Sequence, residues 1–208
     1  VWQFLPLAPP DSLGSPYSSP SSFAFNPWFL DENDLVRDGF LCDKLQNFSS
    51  NLVDFHERVD IQLANSKVKI LNSSLVDYWE RQNTTIKKEF ETWCEKQFWL
   101  DDHSIFMELR IQNENLPWWK WPEKFAVCDK KEIANWKKDN QKELLGHNLI
   151  QWHLDRQWQS IRKLAKNLGI FLFGDVPFYV SKDSVDVWSN RSLFSILTNS
   201  DTFLQSGV

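Results

Sequence analysis

The sequence predicts an α/β fold, part of a β/α barrel interrupted by a long helical segment. Three observations lead there. An apolar, β-leaning start, "VWQFLPL", gives way to a Pro- and Ser-rich loop; charged residues in a helical pattern fill the middle of the chain; and a later amphipathic helix passes through a glycine straight into the apolar run "IFLF". A short apolar run without alternation, directly after a helix, is the pattern of a parallel strand buried on both faces. Helix, short loop and parallel strand in that order belong to a β/α architecture rather than to a helical bundle.

Residues 1–49 form the first segment, a barrel strand and the loop that follows it. Six of the nine prolines lie before residue 28, which excludes regular helix and fixes extended and turn conformations. Asp11 is the only charged residue between Val1 and Leu30, so this loop is expected to pack against something.

Residues 50–147 form the second, helical segment. Leu52, Phe55, Val59 and Leu63 recur at helical spacing, as do Ile86, Phe90, Trp93 and Gln97 or Phe98. Asp101 and Asp102 are expected to cap a helix through "HSIFMELR", which breaks at "NENLPWWKWPEKF", and Ile133, Trp136 and Leu144 place another helix through "KKEIANWKKDNQKELLG". The Lys and Glu runs here read as solvated faces.

Residues 148–208 form the third segment: barrel helix, strand and following loop. Ile150, Leu154, Trp158, Ile161, Ala165 and Leu168 step by three and four along one face, and Gly169 ends the helix before "IFLF".

Composition narrows the function. A net charge of −5 without a basic cluster removes the electrostatic footprint of a nucleic-acid binder. Three widely spaced cysteines, Cys42, Cys94 and Cys128, match neither a disulfide framework nor a metal knuckle, so a reducing, cytosol-like compartment is expected. The sequence supports neither a membrane span nor a secretory leader. With 12 Trp and 16 Phe against 3 Tyr, most rings are expected in the core and a few on a platform for a ring-shaped ligand.

In a β/α barrel, residues at the C-terminal ends of strands build the active face, which directs attention to Asp175 after "IFLFG" and to Tyr17 in the loop after "VWQFLPL". An aromatic face beside a carboxylate suits a sugar, whose C–H face lies on the ring while the acid takes hydroxyls. Asp175 reads equally as a turn former before Pro177. Glu143 and His147, four apart with His153 nearby, read as a structural pair rather than metal ligands, because a third ligand is unidentified. No nucleophile elbow, GxGxxG or Walker pattern occurs, so no cofactor is implied.

"WQFLPLAPPDSLGSPYSSPSSFAFNPWFLD" and "GDVPFYVSKDSVDVW", with "WLDDHSIFMELR", "PWWKWPEKF" and "QWHLDRQWQSIRKLAKNLGI" between them, resemble the bacterial and plant 4-α-glucanotransferases (amylomaltases, disproportionating enzymes) of glycoside hydrolase family 77. The resemblance spans essentially the whole chain. It implies a (β/α)8 TIM barrel with residues 50–147 as a helical insertion. It also implies retaining transfer of α-1,4-glucan segments between malto-oligosaccharides through a glycosyl-enzyme, without cofactor or metal. Ser15, Pro16 and Tyr17 match the family's "SPY" loop, in which the Tyr stacks near the sugar next to the scissile bond. Asp175 matches a substrate-site acid that is not the nucleophile. Asn26, Pro27 and the trio Trp118, Trp119 and Trp121 are assigned to structure and packing.

The chain departs from the family pattern in two places. "DSLGSPY" stands where many members read "GYGDSPY", leaving Ser12 near the place of an aromatic. The family's catalytic carboxylates lie on later strands than those present here. The chain is therefore expected to be truncated at both ends and inert by itself, with its nucleophile and acid/base beyond Val208. The expected compartment is the cytoplasm, or the plastid stroma for a plant or algal source. The alternative is a non-catalytic glucan-binding or scaffold protein derived from the same fold.

Overall fold

The computed structural model describes residues 1–42 and 60–194. The expected helical positions Leu52, Phe55 and Val59 lie outside the described residues.

Short polar side chains start most of the helices, because their oxygens accept the first free backbone N–H groups. Asp31 caps α1 (Glu32–Arg37), Asp60 caps α2 (Ile61–Trp79) and Asn83 caps α3 (Thr84–Glu95). The helix α4 (Leu100–Gln112) differs from expectation: its N-cap is Trp99, without a side-chain bond, and Asp101 and Asp102 sit inside the first turn. There they oppose the positive end of the helix dipole rather than capping it. The short α5 (Glu123–Ala126) precedes α6 (Lys130–Asp139), which Asp129 caps. The helix expected through residues 130–146 breaks at Asn140, whose Nδ2 donates to the Trp136 carbonyl at 2.7 Å.

Beyond the break runs α7 (Gln141–Asn167), the longest helix described and continuous through residues 147 and 148. It ends as its glycine predicts. Gly169 takes φ +68° and donates to the Lys166 carbonyl, while Ile170 N–H returns to the Ala165 carbonyl at 2.8 Å. That pair of bonds is the Schellman arrangement, and it turns the chain into a strand within a few residues.

The strand, β2 (Leu172–Phe173), pairs in parallel with β1 (Trp2–Gln3), Trp2 opposite Leu172 and Gln3 opposite Phe173. The predicted burial of this strand on both faces is not observed: Phe171 and Phe173 are 76% and 60% exposed. Among the described residues the sheet has two strands, and no element packs over these rings far enough to bury them. Mostly helical structure around one small parallel sheet is thus the architecture observed.

Among the described residues two apolar clusters hold the helices. The first joins Leu35 of α1, Leu71 and Leu75 of α2 and Phe90 of α3 to Leu149, Ile150 and Trp152 of α7. The second joins Phe106 and Leu109 of α4, Ile133 of α6 and Leu144 of α7 to Trp118, Trp121 and the short α8 (Val185–Ser189). Because α7 contributes to both, it is the spine of the molecule. The helical face predicted from Ile150 to Leu168 is not buried throughout: Ile150, Leu154 and Ala165 are buried, whereas Ile161 and Leu168 are exposed. Phe98, expected on the α3 face with Phe90, lies beyond the end of that helix and is exposed.

The tryptophans of "PWWKWP" pack as expected. Trp118 Nε1–H donates to the Lys182 carbonyl, Trp121 Nε1–H to Leu116 and Trp188 Nε1–H to Phe125, each at 2.8 Å. Burying an indole requires such an acceptor, and here the backbone supplies all three. Through these bonds and the Arg110–Asp183 ion pair at 3.0 Å, the helical segment grips the chain just after the Asp175 loop.

Candidate sugar-binding site

The loop after β1 is built to present Tyr17. Asp11 Oδ1 accepts the N–H groups of Leu13 and Ser15, both at 2.9 Å, and Gly14 supplies the φ of +88° that the tight turn needs. Ser15 then caps the 3-10 turn Pro16–Ser18, its Oγ accepting Tyr17 N–H at 3.3 Å. The Ser15 side chain therefore orients the turn; it does not line the cavity described below.

Asp175 leaves the end of β2 two residues after Phe173 and meets this loop. Tyr17 Oη donates to Asp175 Oδ2 at 2.7 Å, and Val176 N–H donates to Oδ1 at 2.8 Å. The carboxylate raises the Tyr17 pKa above its ordinary value, first because the hydrogen bond favours the neutral phenol. Both readings of Asp175 meet here: it forms a local turn and it faces an aromatic across the chain. Each of its oxygens keeps a lone pair for a further donor.

A cavity of about 200 Å³ opens beside this pair, lined by Tyr17, Phe23, Ala24, Phe25, Asp175 and Tyr179 among others. Its loop wall is fixed from behind. Gln151, 2% exposed on α7, accepts Phe25 N–H at 2.8 Å and donates to the Phe25 carbonyl at 2.9 Å. One helical stretch further on, Gln157 makes the same two bonds to Asp31, at 3.0 and 2.9 Å. From the other side Asp186 accepts Ser22 N–H at 3.0 Å, and Val185 N–H reaches the Pro20 carbonyl at 2.9 Å.

Gln151, Gln157 and Asp186 went unidentified by sequence reasoning. The available signal was a glutamine inside the apolar run Ile150–Leu154, where a buried amide demands partners. Asn26 is structural as expected: it is buried and accepts Trp28 N–H at 3.0 Å.

The Glu143–His147 pairing is not formed. Glu143 is exposed, and His147 Nε2 instead lies 3.2 Å from Glu108 Oε2. Burial alone would raise the Glu108 carboxyl, but the bond and charge of His147 bring it below its ordinary value. Among the described residues no three His, Cys, Asp or Glu side chains gather as metal ligands.

A family model described as 4-alpha-glucanotransferase, that of glycoside hydrolase family 77, matches residues 1–207, and the chain belongs to that family. Relatives named 4-alpha-glucanotransferase from Synechocystis and Thermus thermophilus are each 31% identical over 94% of this chain. The chloroplastic/amyloplastic enzyme of Oryza sativa is 30% identical over 100% of it. The chain spans 39%, 38% and 36% of the lengths of these relatives, respectively. An amylomaltase from Streptococcus agalactiae, solved in complex with acarbose, superposes with a TM-score of 0.85 at 24% identity, over 96% of this chain and 40% of that one, which establishes likeness of fold.

Proposed function

We propose that the protein is a 4-α-glucanotransferase, transferring α-1,4-glucan segments between malto-oligosaccharides by a retaining double displacement, and that this chain supplies part of its sugar site. The observation that carries the reading is the 2.7 Å bond between Tyr17 and Asp175 at the mouth of a cavity, in a chain of this family. Paired parallel strands with their following loops meeting at one rim are what a (β/α)8 TIM barrel uses to build a site. Residues 1–49 and 148–208 then belong to the barrel, with residues 50–147 as its helical insertion. The relatives are named 4-alpha-glucanotransferase, and the superposed amylomaltase was solved with acarbose.

Asp175 holds sugar hydroxyls and does not attack the anomeric carbon. Its oxygens are already engaged by Tyr17 and Val176, an arrangement that steadies a carboxylate and lowers its nucleophilicity. Tyr17 offers its ring face to the pyranose, and Ser15 keeps that ring in place. No residue described here is assigned as nucleophile or acid/base. Among the described residues no helix is long and apolar enough to cross a membrane. A cytoplasmic or plastid compartment is part of the proposal, the plastid because plant relatives are named chloroplastic.

The test is disproportionation of maltotriose by the complete gene product, read as glucose released and longer maltodextrins formed. Asp175→Asn is expected to lower kcat/KM about 10- to 100-fold, the loss associated with a charged hydrogen bond of roughly 1.5–3 kcal/mol. A complete gene product that releases no glucose overturns the reading.

A further inference from the structure

Phe23 and Phe98 meet edge to face, with ring centroids 5.0 Å apart and planes at 76°. Phe23 lines the cavity beside Tyr17, whereas Phe98 stands in the turn between α3 and α4 of the helical segment. Within this chain neither ring is covered, Phe23 being 53% and Phe98 80% exposed. Neither belongs to either apolar cluster, so core packing does not account for the pair. A lone exposed Phe carries no message, but two converging from distant parts of the chain on the rim of the cavity that holds Asp175 mark a surface that something covers.

The size of the cavity says what that is. At about 200 Å³ it falls below the range of roughly 300–1,000 Å³ typical of sites that enclose a drug-sized ligand. It suits a single sugar ring, so a polymer must leave it over the rim. On the Phe23 side that path runs across the aromatic pair, where the apolar C–H face of a pyranose finds an exposed ring.

We infer that Phe23 and Phe98 form a stacking platform for a further glucose unit of an α-1,4-glucan, outside the cavity. The helical segment thereby contributes a ring to substrate binding. The inference rests on the glucan reading above. It assigns Phe98 a role in chain-length preference, separate from the Tyr17–Asp175 pair that holds the first ring.

Calorimetric titration of the complete gene product with glucose and with maltoheptaose tests it. Phe98→Ala is expected to weaken maltoheptaose about tenfold, equivalent to about 1.4 kcal/mol, and to leave glucose unchanged. Phe98→Tyr, which keeps the ring, is expected to bind both as the wild type does. Equal losses for the two sugars would overturn the proposal, since the pair would then act only by bracing the loop. Unchanged binding in Phe98→Ala, or loss in Phe98→Tyr, overturns it while leaving the glucan reading intact. A wild-type protein that binds neither sugar overturns both.

Discussion

Gln151 holds both backbone groups of Phe25, accepting its N–H at 2.8 Å and donating to its carbonyl at 2.9 Å. The carboxamide thus plays the part of a neighbouring strand for one residue of the cavity wall, and it does so from a position only 2% exposed. Gln151→Leu keeps the volume and removes both bonds, leaving two polar groups of the loop without their partner. A loss of about 2–4 kcal/mol is expected on summing two such groups. Urea denaturation at neutral pH measures it, and a variant as stable as the wild type would show that water replaces the amide without cost.

The Tyr17–Asp175 bond makes a spectroscopic statement as well. Neutral phenol donates to the carboxylate, so ionising Tyr17 breaks the bond and places two negative charges side by side; its pKa is raised for that reason. Asp175→Asn removes the charge, and the Tyr17 titration is expected to move down toward the ordinary value. Carbon NMR of labelled tyrosine through an alkaline titration resolves the three tyrosines of the chain. An unmoved Tyr17 resonance in Asp175→Asn would mean that the bond is absent in solution.

How much of this was legible in the sequence depended on whether the signal was local. The end of α7 was legible because Gly169 must take the left-handed conformation that closes the helix, and residues on either side settle that alone. Tyr17 and Asp175 were each legible as residues following strands, but their 2.7 Å bond was not, since it joins positions far apart in the chain. Phe98 misled the periodic reading: spacing placed it on the face of Phe90, yet α3 ends at Glu95 and the ring turns to the cavity rim. The exposure of Phe171 and Phe173 was hidden for a different reason. An apolar run reports that a strand can be covered on both faces, and not what covers it.

Acid is expected to weaken the fold through two buried histidines. Burial, with the neighbouring His147, pulls His103 down from 6.5 to about 3; burial, with Arg156, does the same to His153. Because their folded pKa lies below the unfolded one, the unfolded chain binds more protons between those values, and stability falls as pH drops through that window. Each histidine contributes a loss on the order of 2 kcal/mol by about pH 5, relative to neutrality. The urea midpoint measured across this range should fall steadily. A flat profile would mean that these side chains remain accessible to protons in the native state.

The crossing of α2 over α7 offers a final test, in which the sign of an effect reverses with its neighbour. Gly146 lies buried in α7, and a Cβ built there would overlap the Asn72 carboxamide of α2. In an open helix, Gly→Ala stabilises by about 1 kcal/mol. Here Asn72 must leave its rotamer or the helices must separate, so Gly146→Ala is expected to destabilise by about 1–3 kcal/mol, the usual range for overpacking. Asn72→Ala removes the obstruction, and in that background the same Gly146→Ala substitution should recover the helix-forming benefit and become stabilising. The double-mutant cycle, measured by urea denaturation of all four proteins, isolates the coupling between these positions. Additive effects would show that α2 and α7 do not approach as closely at this point as the Gly146–Asn72 contact requires.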